Sequence, residues 1–218
     1  MTHVLLGAVL LGNLGVCVTA QVMLPPPSQV KFDSVDYKNN LRWTPPVNST
    51  SLQYHVQWKI YGEPQWLDVN GCQEIQKHHC DLSAVTSDLR EWYYARVRAF
   101  SSPSSSKSAW VQSPRFSPRW DTKISPPLLK LNMTNHGIVV RVKPPRLLLQ
   151  KMHSNLHYKI YLRNTGGEEE VFEMDCCSNK LSLNKLDHNM QYCLQAQTVI
   201  LLQAKSSPRS SVKCVTFL

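Results

Sequence analysis

The segment EWYYARVRAFSSPSSSKSAW, residues 91–110, decides the fold class, because its first half alternates between two kinds of side chain. In an extended strand successive side chains point to opposite faces, so the odd-numbered positions from Tyr93 to Ala99 share one face. That face carries tyrosine, valine and two alanines, whereas Arg96 and Arg98 lie on the other face. The pattern predicts a strand with a buried side and an outer side, and it places both arginines on the outer side.

Similar short segments recur along the chain, and several are bounded by Pro, Gly, Asn or Ser, as in β-sandwiches. Outside the first twenty residues, no stretch of twelve or more residues sustains the apolar period of a helix. The sequence therefore predicts an all-β fold. The ten expected strands are QVKFDSV (29–35), NNLRWTP (39–45), YHVQWKIYG (54–62), YYARVRAF (93–100), LLKLNM (128–133), HGIVVRVKP (136–144), LHYKIYLRN (156–164), EEEVFEM (168–174), YCLQAQTV (192–199) and SVKCVTF (211–217).

An internal repeat divides the chain, since YHVQWKIYG is echoed by LHYKIYLRN and the Tyr93 strand by a Tyr192 strand. Two tandem sandwiches are predicted, and SPRFSPRWDTKISPP (113–127) lies between them. Its four prolines and lack of glycine favour a stiff, extended connector. The predicted boundaries are a signal peptide at 1–20, a first domain at 21–118, a linker at 119–127 and a second domain at 128–218.

The first twenty residues contain no Asp, Glu, Lys or Arg and end in small residues, which is typical of a cleaved signal peptide; the alternative is an uncleaved membrane anchor. After Ala20 no apolar run is long enough to span a membrane. We therefore expect a secreted, extracellular, monomeric protein. Sequons at Asn48 and Asn132 are expected to carry glycans on exposed backbone.

The formal net charge of +9 makes heparan sulfate and other anionic surfaces candidate partners. No nucleic-acid-binding motif is present, so nucleic acid is not expected as a partner. No phosphate loop, nucleophile elbow or HExxH motif occurs, and we expect neither an enzyme nor a bound cofactor or metal. The Glu168–Glu170 run is interpreted as a solvated hairpin turn.

Six cysteines remain after the signal peptide, an even number that favours disulfides in a secreted chain. Cys72 and Cys80 can close a local disulfide, or Cys80 can join His78 and His79 at a metal. The metal is disfavoured because adjacent histidines on a strand face opposite ways. Cys193 and Cys214 suit a bridge between the last two strands. Cys176 and Cys177 are adjacent, and their pairing stays open.

A tyrosine corner is predicted in the second domain, where Leu186 lies six residues before Tyr192. In the first domain Leu89 lies only four residues before Tyr93, so its corner is expected to be tighter or differently built.

Several stretches together resemble the extracellular part of class II cytokine receptors, the interferon and interleukin-10 receptor family. They are VKFDSVDYKNNLRWTPP, VQWKIYGEPQW, GCQEIQKHHCDL, YYARVRA, SAW, PRFSPRWDTKISPP and the closing YC and KC pairs. The resemblance covers residues 27–218. It implies two fibronectin type III domains of immunoglobulin-like β-sandwich topology joined by a stiff elbow. It also implies the cystine pairs Cys72–Cys80 and Cys193–Cys214.

The resemblance further implies that loops around the elbow bind a helical cytokine. Tyr61 matches the family's binding tyrosine, and a tyrosine beside a glycine at a strand end is a rigid contact residue; the alternative is a buried hairpin residue. The candidate cytokine-binding residues are Lys59, Tyr61, Gly62, Glu63, Thr86, Ser87, Asp88, Ser104 and Lys107. Leu147, Leu148 and Leu149 are either an apolar patch for the cytokine or ordinary core.

The same resemblance puts Trp110 at the position of the degenerate tryptophan motif of cytokine receptors. We therefore expect Arg96 and Arg98 to stack on Trp110 as a structural ladder rather than to bind a partner.

The expected function is that of a soluble decoy receptor, which binds a helical cytokine of the interleukin-10 family, with interleukin-22 as the expected ligand, and blocks its signalling receptor. Two alternatives are the truncated or spliced ectodomain of a membrane receptor subunit and an adhesion module that binds heparan sulfate.

Overall fold

The computed structural model describes residues 23–47, 52–144, 146–153, 155–176, 178 and 180–217. Nearly all of its regular structure is β-strand, in two sandwiches of two sheets each. The predicted signal peptide, the Asn48 sequon and Cys177 lie outside the described residues.

The first sandwich pairs a three-stranded sheet, β1-β2-β5, with a five-stranded sheet in which β3 and β6 are central, β4 and β7 flank them and β8 pairs with β6. Its strands are β1 (Ser28–Val35), β2 (Lys38–Thr44), β3 (Gln53–Ile60), β4 (Leu67–Asp68), β5 (His79–Asp81), β6 (Tyr93–Ser101), β7 (Ser106–Lys107) and β8 (Val111–Gln112).

The second sandwich repeats this arrangement, with a β13-β10-β9 sheet facing a β12-β11-β14-β15 sheet in which β16 also pairs with β14. Its strands are β9 (Leu128–Thr134), β10 (Gly137–Lys143), β11 (Leu156–Asn164), β12 (Glu169–Asp175), β13 (Leu181–Leu183), β14 (Met190–Ile200), β15 (Lys205–Ser206) and β16 (Lys213–Phe217).

In both sandwiches, every second residue of a long central strand is buried in the core. Along β6 the odd-numbered residues from Tyr93 to Ala99 are at most 2% exposed, and the even-numbered ones are half-buried on the outer face. Strand β14 repeats the pattern from Tyr192 to Ile200. The predicted all-β fold of two tandem fibronectin type III domains is therefore confirmed, and the predicted repeat corresponds to β3 with β6 and β11 with β14.

The connector between the sandwiches is not extended throughout, which corrects the prediction. A single helical turn, α1 (Pro118–Asp121), begins it. Pro118 suits a first helical position, and the Asp121 carboxylate accepts a hydrogen bond of 2.7 Å from the Ser117 backbone N–H, which closes the turn. The domain boundaries at 118 and 127 stay a prediction.

Both predicted disulfides, Cys72–Cys80 and Cys193–Cys214, are present. The second joins residues that face each other directly on β14 and β16. Because Cys80 is held in a disulfide, it is not available to a metal together with His78 and His79. Within the described residues, no cluster of three or more His, Cys, Asp or Glu side chains is placed to hold an ion.

Both sandwiches contain a tyrosine corner of the same span. The Tyr93 hydroxyl donates to the backbone carbonyl of Asp88 at 3.1 Å, and the Tyr192 hydroxyl accepts from the backbone N–H of Asp187 at 2.8 Å. Each bond reaches five residues back, so the first corner is not tighter than the second. It is differently built, the other outcome that the sequence predicts, because its tyrosine bonds a backbone carbonyl instead of a backbone N–H.

Candidate functional site

The turn that follows β3 exposes Tyr61 at the end of the first sandwich nearest the connector. Its side chain is 54% exposed, although its backbone N–H is fixed by a 2.7 Å hydrogen bond to the carbonyl of Trp92. Gly62 follows with a φ of +92°, a conformation that favours glycine and turns the chain back. Tyr61 is therefore not the buried hairpin residue of the alternative interpretation.

The Arg115 and Tyr94 side chains pack against the Tyr61 ring, and Trp92 packs against Arg115. The Arg115 guanidinium lies 5.3 Å from the centre of the Tyr61 ring and 4.1 Å from that of the Trp92 ring, and the Tyr61 and Tyr94 ring centres are 6.0 Å apart. Arg115 and Trp92 were not predicted as site residues. Their positions were the only sequence signal for them: Arg115 follows Pro114, and Trp92 directly precedes the Tyr93 strand. Such a stack orders the ring before any partner arrives, which lowers the entropy cost of binding.

The neighbouring candidates in this turn differ in exposure. Lys59 folds back, because its Nζ donates to the Glu63 carbonyl at 3.0 Å and lies 5.1 Å from the centre of the Trp66 ring. Gly62 and Glu63 are exposed. Lys59 thus supports the turn, while Tyr61 and Glu63 present side chains to solvent.

The loop between β5 and β6 brings Ser87 and Asp88 to the same end. Ser87 is exposed, and Asp88 accepts hydrogen bonds from the Arg90 side chain, one of them at 2.7 Å. These bonds hold the pKa of the Asp88 carboxyl at about 2, so it is charged at neutral pH. Thr86 must be removed from the contact set: it is fully buried, and its hydroxyl donates to the Leu82 carbonyl.

Ser104 and Lys107 lie at the opposite end of the first sandwich. Register pairs Lys107 with Phe100, whereas Ile60, next to Tyr61, pairs with Tyr93. Seven residues of extended strand separate the two points, which is about 23 Å. The predicted contact residues therefore lie in loops at both ends of the first sandwich. Ser104 and Lys107 are not part of the candidate site at the elbow.

The second sandwich contributes exposed leucines next to the first. Leu201 and Leu202 are 63% and 77% exposed on the one-turn 3-10 helix Leu201–Gln203. Leu202 and Leu89 both line a cleft of about 220 Å³ at the junction of the domains. We name the residues Tyr61, Asp88, Arg115, Leu201 and Leu202 the elbow surface.

The three leucines at 147–149 separate into two kinds. All lie on the short helix α2 (Leu147–Met152), where Leu149 is fully buried and Leu147 and Leu148 are exposed. Core packing and an exposed apolar patch are therefore both present, on opposite sides of one helical turn.

The elbow itself is fixed by Tyr37, which reaches from the β1–β2 turn into the core of the second sandwich. Its hydroxyl makes a 2.7 Å hydrogen bond with Nε2 of His153, and its backbone N–H donates to the Thr122 hydroxyl at 3.1 Å. Burial, and then the positive charges of Lys205 and Arg119, lower the pKa of His153 and favour its neutral form. The domain angle is thus held by buried contacts.

A second set of contacts covers the outer face of β6. The guanidinium groups of Arg96 and Arg98 lie 4.5 Å and 4.4 Å from the centre of the Trp110 ring. Trp66, which was not predicted, takes the other side of Arg96 at 4.3 Å. The Arg96 side chain also donates to Gln57 on β3, so this stack joins strands of the sheet rather than facing the elbow.

Replacing Arg98 by glutamate is expected to lower the free energy of unfolding by about 1 kcal/mol, because a cation over Trp110 is lost and a carboxylate faces the negative ring. The loss is limited because Arg98 also repels Arg96, an interaction that contributes, after burial, to the lowered pKa of Arg96. Urea unfolding measures this, and Lys31→Glu, on exposed β1, is the matched control. A larger loss of cytokine affinity than of stability would contradict the structural role.

The Asn132 sequon lies on β9, and Asn132 is exposed, which leaves room for a glycan. Glycosylation there stays a prediction. None of the helices in the described residues combines the length and the apolar character that crossing a bilayer requires.

Two fibronectin type III sandwiches fixed at an elbow, with aromatic and leucine side chains exposed around it, form the architecture that the resemblance to class II cytokine receptors implies. Sequence comparison agrees: residues 1–110 match the family described as "Tissue factor", and residues 122–218 match "Interferon-alpha/beta receptor, fibronectin type III". The chain belongs to the class II cytokine receptor family. This is a family of binding proteins rather than of enzymes.

Individual relatives refine this placement. The chain is 32% identical over 200 residues to interleukin-22 receptor subunit alpha-2 of Rattus norvegicus, covering 87% of this chain and 86% of the relative. The same subunit of Mus musculus is 30% identical over 226 residues, covering 98% and 97%. Interleukin-20 receptor subunit alpha of Homo sapiens is 33% identical over 208 residues, which cover 89% of this chain but 37% of that protein.

Among solved structures, the chicken interferon gamma receptor alpha chain superposes with a TM-score of 0.77 at 24% identity. The match covers 88% of this chain and 98% of the other. It supports the fold.

Proposed function

We propose that the protein is a secreted, soluble receptor that binds a helical cytokine of the interleukin-10 family, interleukin-22 in particular, and withholds it from its signalling receptor. The elbow surface is the observation that carries this proposal. It combines an exposed, pre-ordered tyrosine on one domain with two exposed leucines on the other, across a junction that buried contacts hold rigid. A rigid, two-sided apolar site suits the side of a helical bundle.

Relatives support the choice of ligand. The two interleukin-22 receptor alpha-2 relatives match this chain over most of their own length. A soluble protein that covers the receptor-binding face of the cytokine inhibits by competition and requires no chemistry. The extracellular location and the monomeric state belong to the same proposal.

Direct binding tests the proposal. The protein is immobilised, and interleukin-22, interleukin-20 and interleukin-10 are passed over it in a biosensor. We expect saturable binding of interleukin-22 with a Kd of roughly 10⁻⁷ M or tighter, as for interfaces of standard size. In solution, the ectodomain of interleukin-22 receptor subunit alpha-1 should then lose access to the cytokine. Binding without this competition would reject the decoy function, and binding of interleukin-20 alone would reject the ligand.

A second candidate function follows from the likeness to interleukin-20 receptor subunit alpha, of which this chain spans 37%. In that case the chain is the cytokine-binding segment of a membrane receptor. Sequencing the transcript beyond the codon for Leu218 distinguishes the two: an in-frame apolar segment of about 20 residues favours the receptor, and a stop codon favours the decoy.

A further inference from the structure

Positive charge is concentrated in one part of the chain. The 46 residues from Thr122 to Gly167 contain eight Lys or Arg and no Asp or Glu. This segment spans β9, β10 and all of β11. It accounts for +8 of the formal net charge of +9, so the rest of the chain is close to neutral.

Strand register gathers part of this charge on the outer face of the β13-β10-β9 sheet. Arg141 pairs directly with Lys130, and Lys143 lies two residues further along the same face. Leu181 pairs with Val140, so continuing the register by one residue places Lys180 beside Arg141. The resulting row crosses three strands, which are spaced about 4.8 Å apart. All four side chains belong to exposed residues. We call them the basic row.

Folding alone does not explain the basic row. Like charges directly opposite each other on neighbouring strands destabilise a sheet. None of the ion pairs between described residues involves the four cations. Acidic residues of this domain form ion pairs on the other sheet instead. Glu169 pairs with both Arg163 and Arg209, and Glu173 pairs with Lys159. The row is thus a charge surplus on a flat face.

A groove adjoins the row and gives it a concave edge. It has a volume of about 680 Å³, and Arg141, Lys143, Leu147 and Gln150 lie along it. The row is also distinct from the elbow surface, because Leu201 and Leu202 follow β14 in the opposite sheet. A partner on the outer face of β9 and β10 would therefore leave Tyr61 accessible to a cytokine.

We infer that the basic row binds a sulfated glycosaminoglycan chain. An extended polyanion matches a row of cations on a sheet face, and the adjoining groove gives it a concave edge to follow. Sulfated polysaccharides are the extended polyanions that an extracellular protein meets, so this inference rests on the proposed extracellular location. Its consequence is retention of the protein at cell surfaces and matrix, where it would bind cytokine locally.

Heparin binding tests the inference with charge-matched variants of the full chain. The triple variant Lys130→Gln, Arg141→Gln, Lys143→Gln removes three of the four cations of the row, and Lys31→Gln, Lys77→Gln, Lys185→Gln removes the same charge elsewhere. We expect the first to weaken binding to immobilised heparin on the order of 100-fold, since each cation near a polyanionic surface contributes about five-fold. The slope of log affinity against log salt should also fall by roughly three. The control should lose less than about five-fold.

Two further measurements sharpen this result. Thermal unfolding should show the row variant to be no less stable than the parent, because the Lys130 and Arg141 repulsion is relieved. Desulfated heparin should bind poorly to the parent. Equal losses in both triple variants, or equal binding of phosphatidylserine vesicles, would overturn the inference in favour of general charge attraction or a membrane partner. Because Asn132 shares this face, the measurement is repeated with Asn132→Gln, which is expected to bind heparin at least as well.

The cytokine assay separates this inference from the proposed function. Loss of heparin binding with unchanged cytokine affinity supports the basic row as an independent site. Heparin binding by a protein that binds no cytokine of the family would reject the proposed function and leave the basic row standing.

Discussion

Replacing Tyr37 with alanine is expected to lower the free energy of unfolding by about 3–5 kcal/mol, the cost of removing a large buried aromatic ring. The ring is 5% exposed and packs in the core of the second sandwich, although the β1–β2 turn that carries it belongs to the first. Its loss should also uncouple the domains, so that one urea transition becomes two. Small-angle scattering should show a wider range of elbow angles.

Matched variants separate the parts of this effect. Tyr37 has a φ of +62°, and alanine carries the same Cβ, so the backbone strain is alike in both proteins. Tyr37→Phe keeps the ring and removes only the hydroxyl bonded to His153, and should cost about 1–3 kcal/mol. If Tyr37→Ala changes stability by less than about 0.5 kcal/mol and leaves the scattering unaltered, the elbow is not fixed by this residue.

The stiffness of the elbow has a consequence for binding. Asp36 and Tyr37 both have positive φ, which costs roughly 1–2 kcal/mol per residue, so the surrounding contacts must hold the turn. Asp36 accepts from the Ser125 backbone N–H at 2.8 Å, and Lys205 donates to the Thr122 carbonyl at 2.8 Å. The two halves of the elbow surface are therefore set in position before a cytokine binds, and little ordering entropy is lost on binding.

Much of the fold could be predicted from local patterns. Alternation along β6 and β14 reports burial directly, since a strand on a core buries every second residue. The repeat then predicted two sandwiches, and the resemblance to class II cytokine receptors implied both disulfides. The short strands β4, β5, β7, β8, β13 and β15 were not predicted, because two or three residues are too few to show a period.

The site was predicted less completely, because its residues meet only through tertiary structure. Tyr61 was identified from the resemblance to class II cytokine receptors, and the glycine that follows it at a strand end agrees with that role. Arg115 and Leu202 come from a connector and a distant hairpin, and no local pattern relates them to Tyr61. Thr86 and Ser87 are neighbours in one loop, yet the first is buried by its bond to Leu82, a difference that polarity alone does not reveal.

Replacing Tyr61 with alanine is expected to weaken cytokine binding by about 30- to 1,000-fold, equivalent to about 2–4 kcal/mol, the range of a central contact residue. The ring is exposed and already ordered by Arg115 and Tyr94, so a partner can bury it at little entropy cost. Stability should change by less than about 0.5 kcal/mol, because the exposed ring contributes little to the core. Titration calorimetry with interleukin-22 and urea unfolding measure the two quantities.

The elbow surface predicts a specific order among variants. Tyr61→Phe should retain most of the affinity if the ring supplies the contact. Leu202→Ala should weaken binding from the other domain, since Leu202 is exposed and lines the junction cleft together with Leu89. Lys107→Ala, about 23 Å away along β6, should bind as the parent does. An equal loss from Lys107→Ala and Tyr61→Ala would place the cytokine along the side of the first sandwich instead of at the elbow.

Tyr37→Ala should reduce both stability and affinity, whereas Tyr61→Ala should reduce affinity alone. This contrast distinguishes a residue that positions the site from one that contacts the cytokine directly.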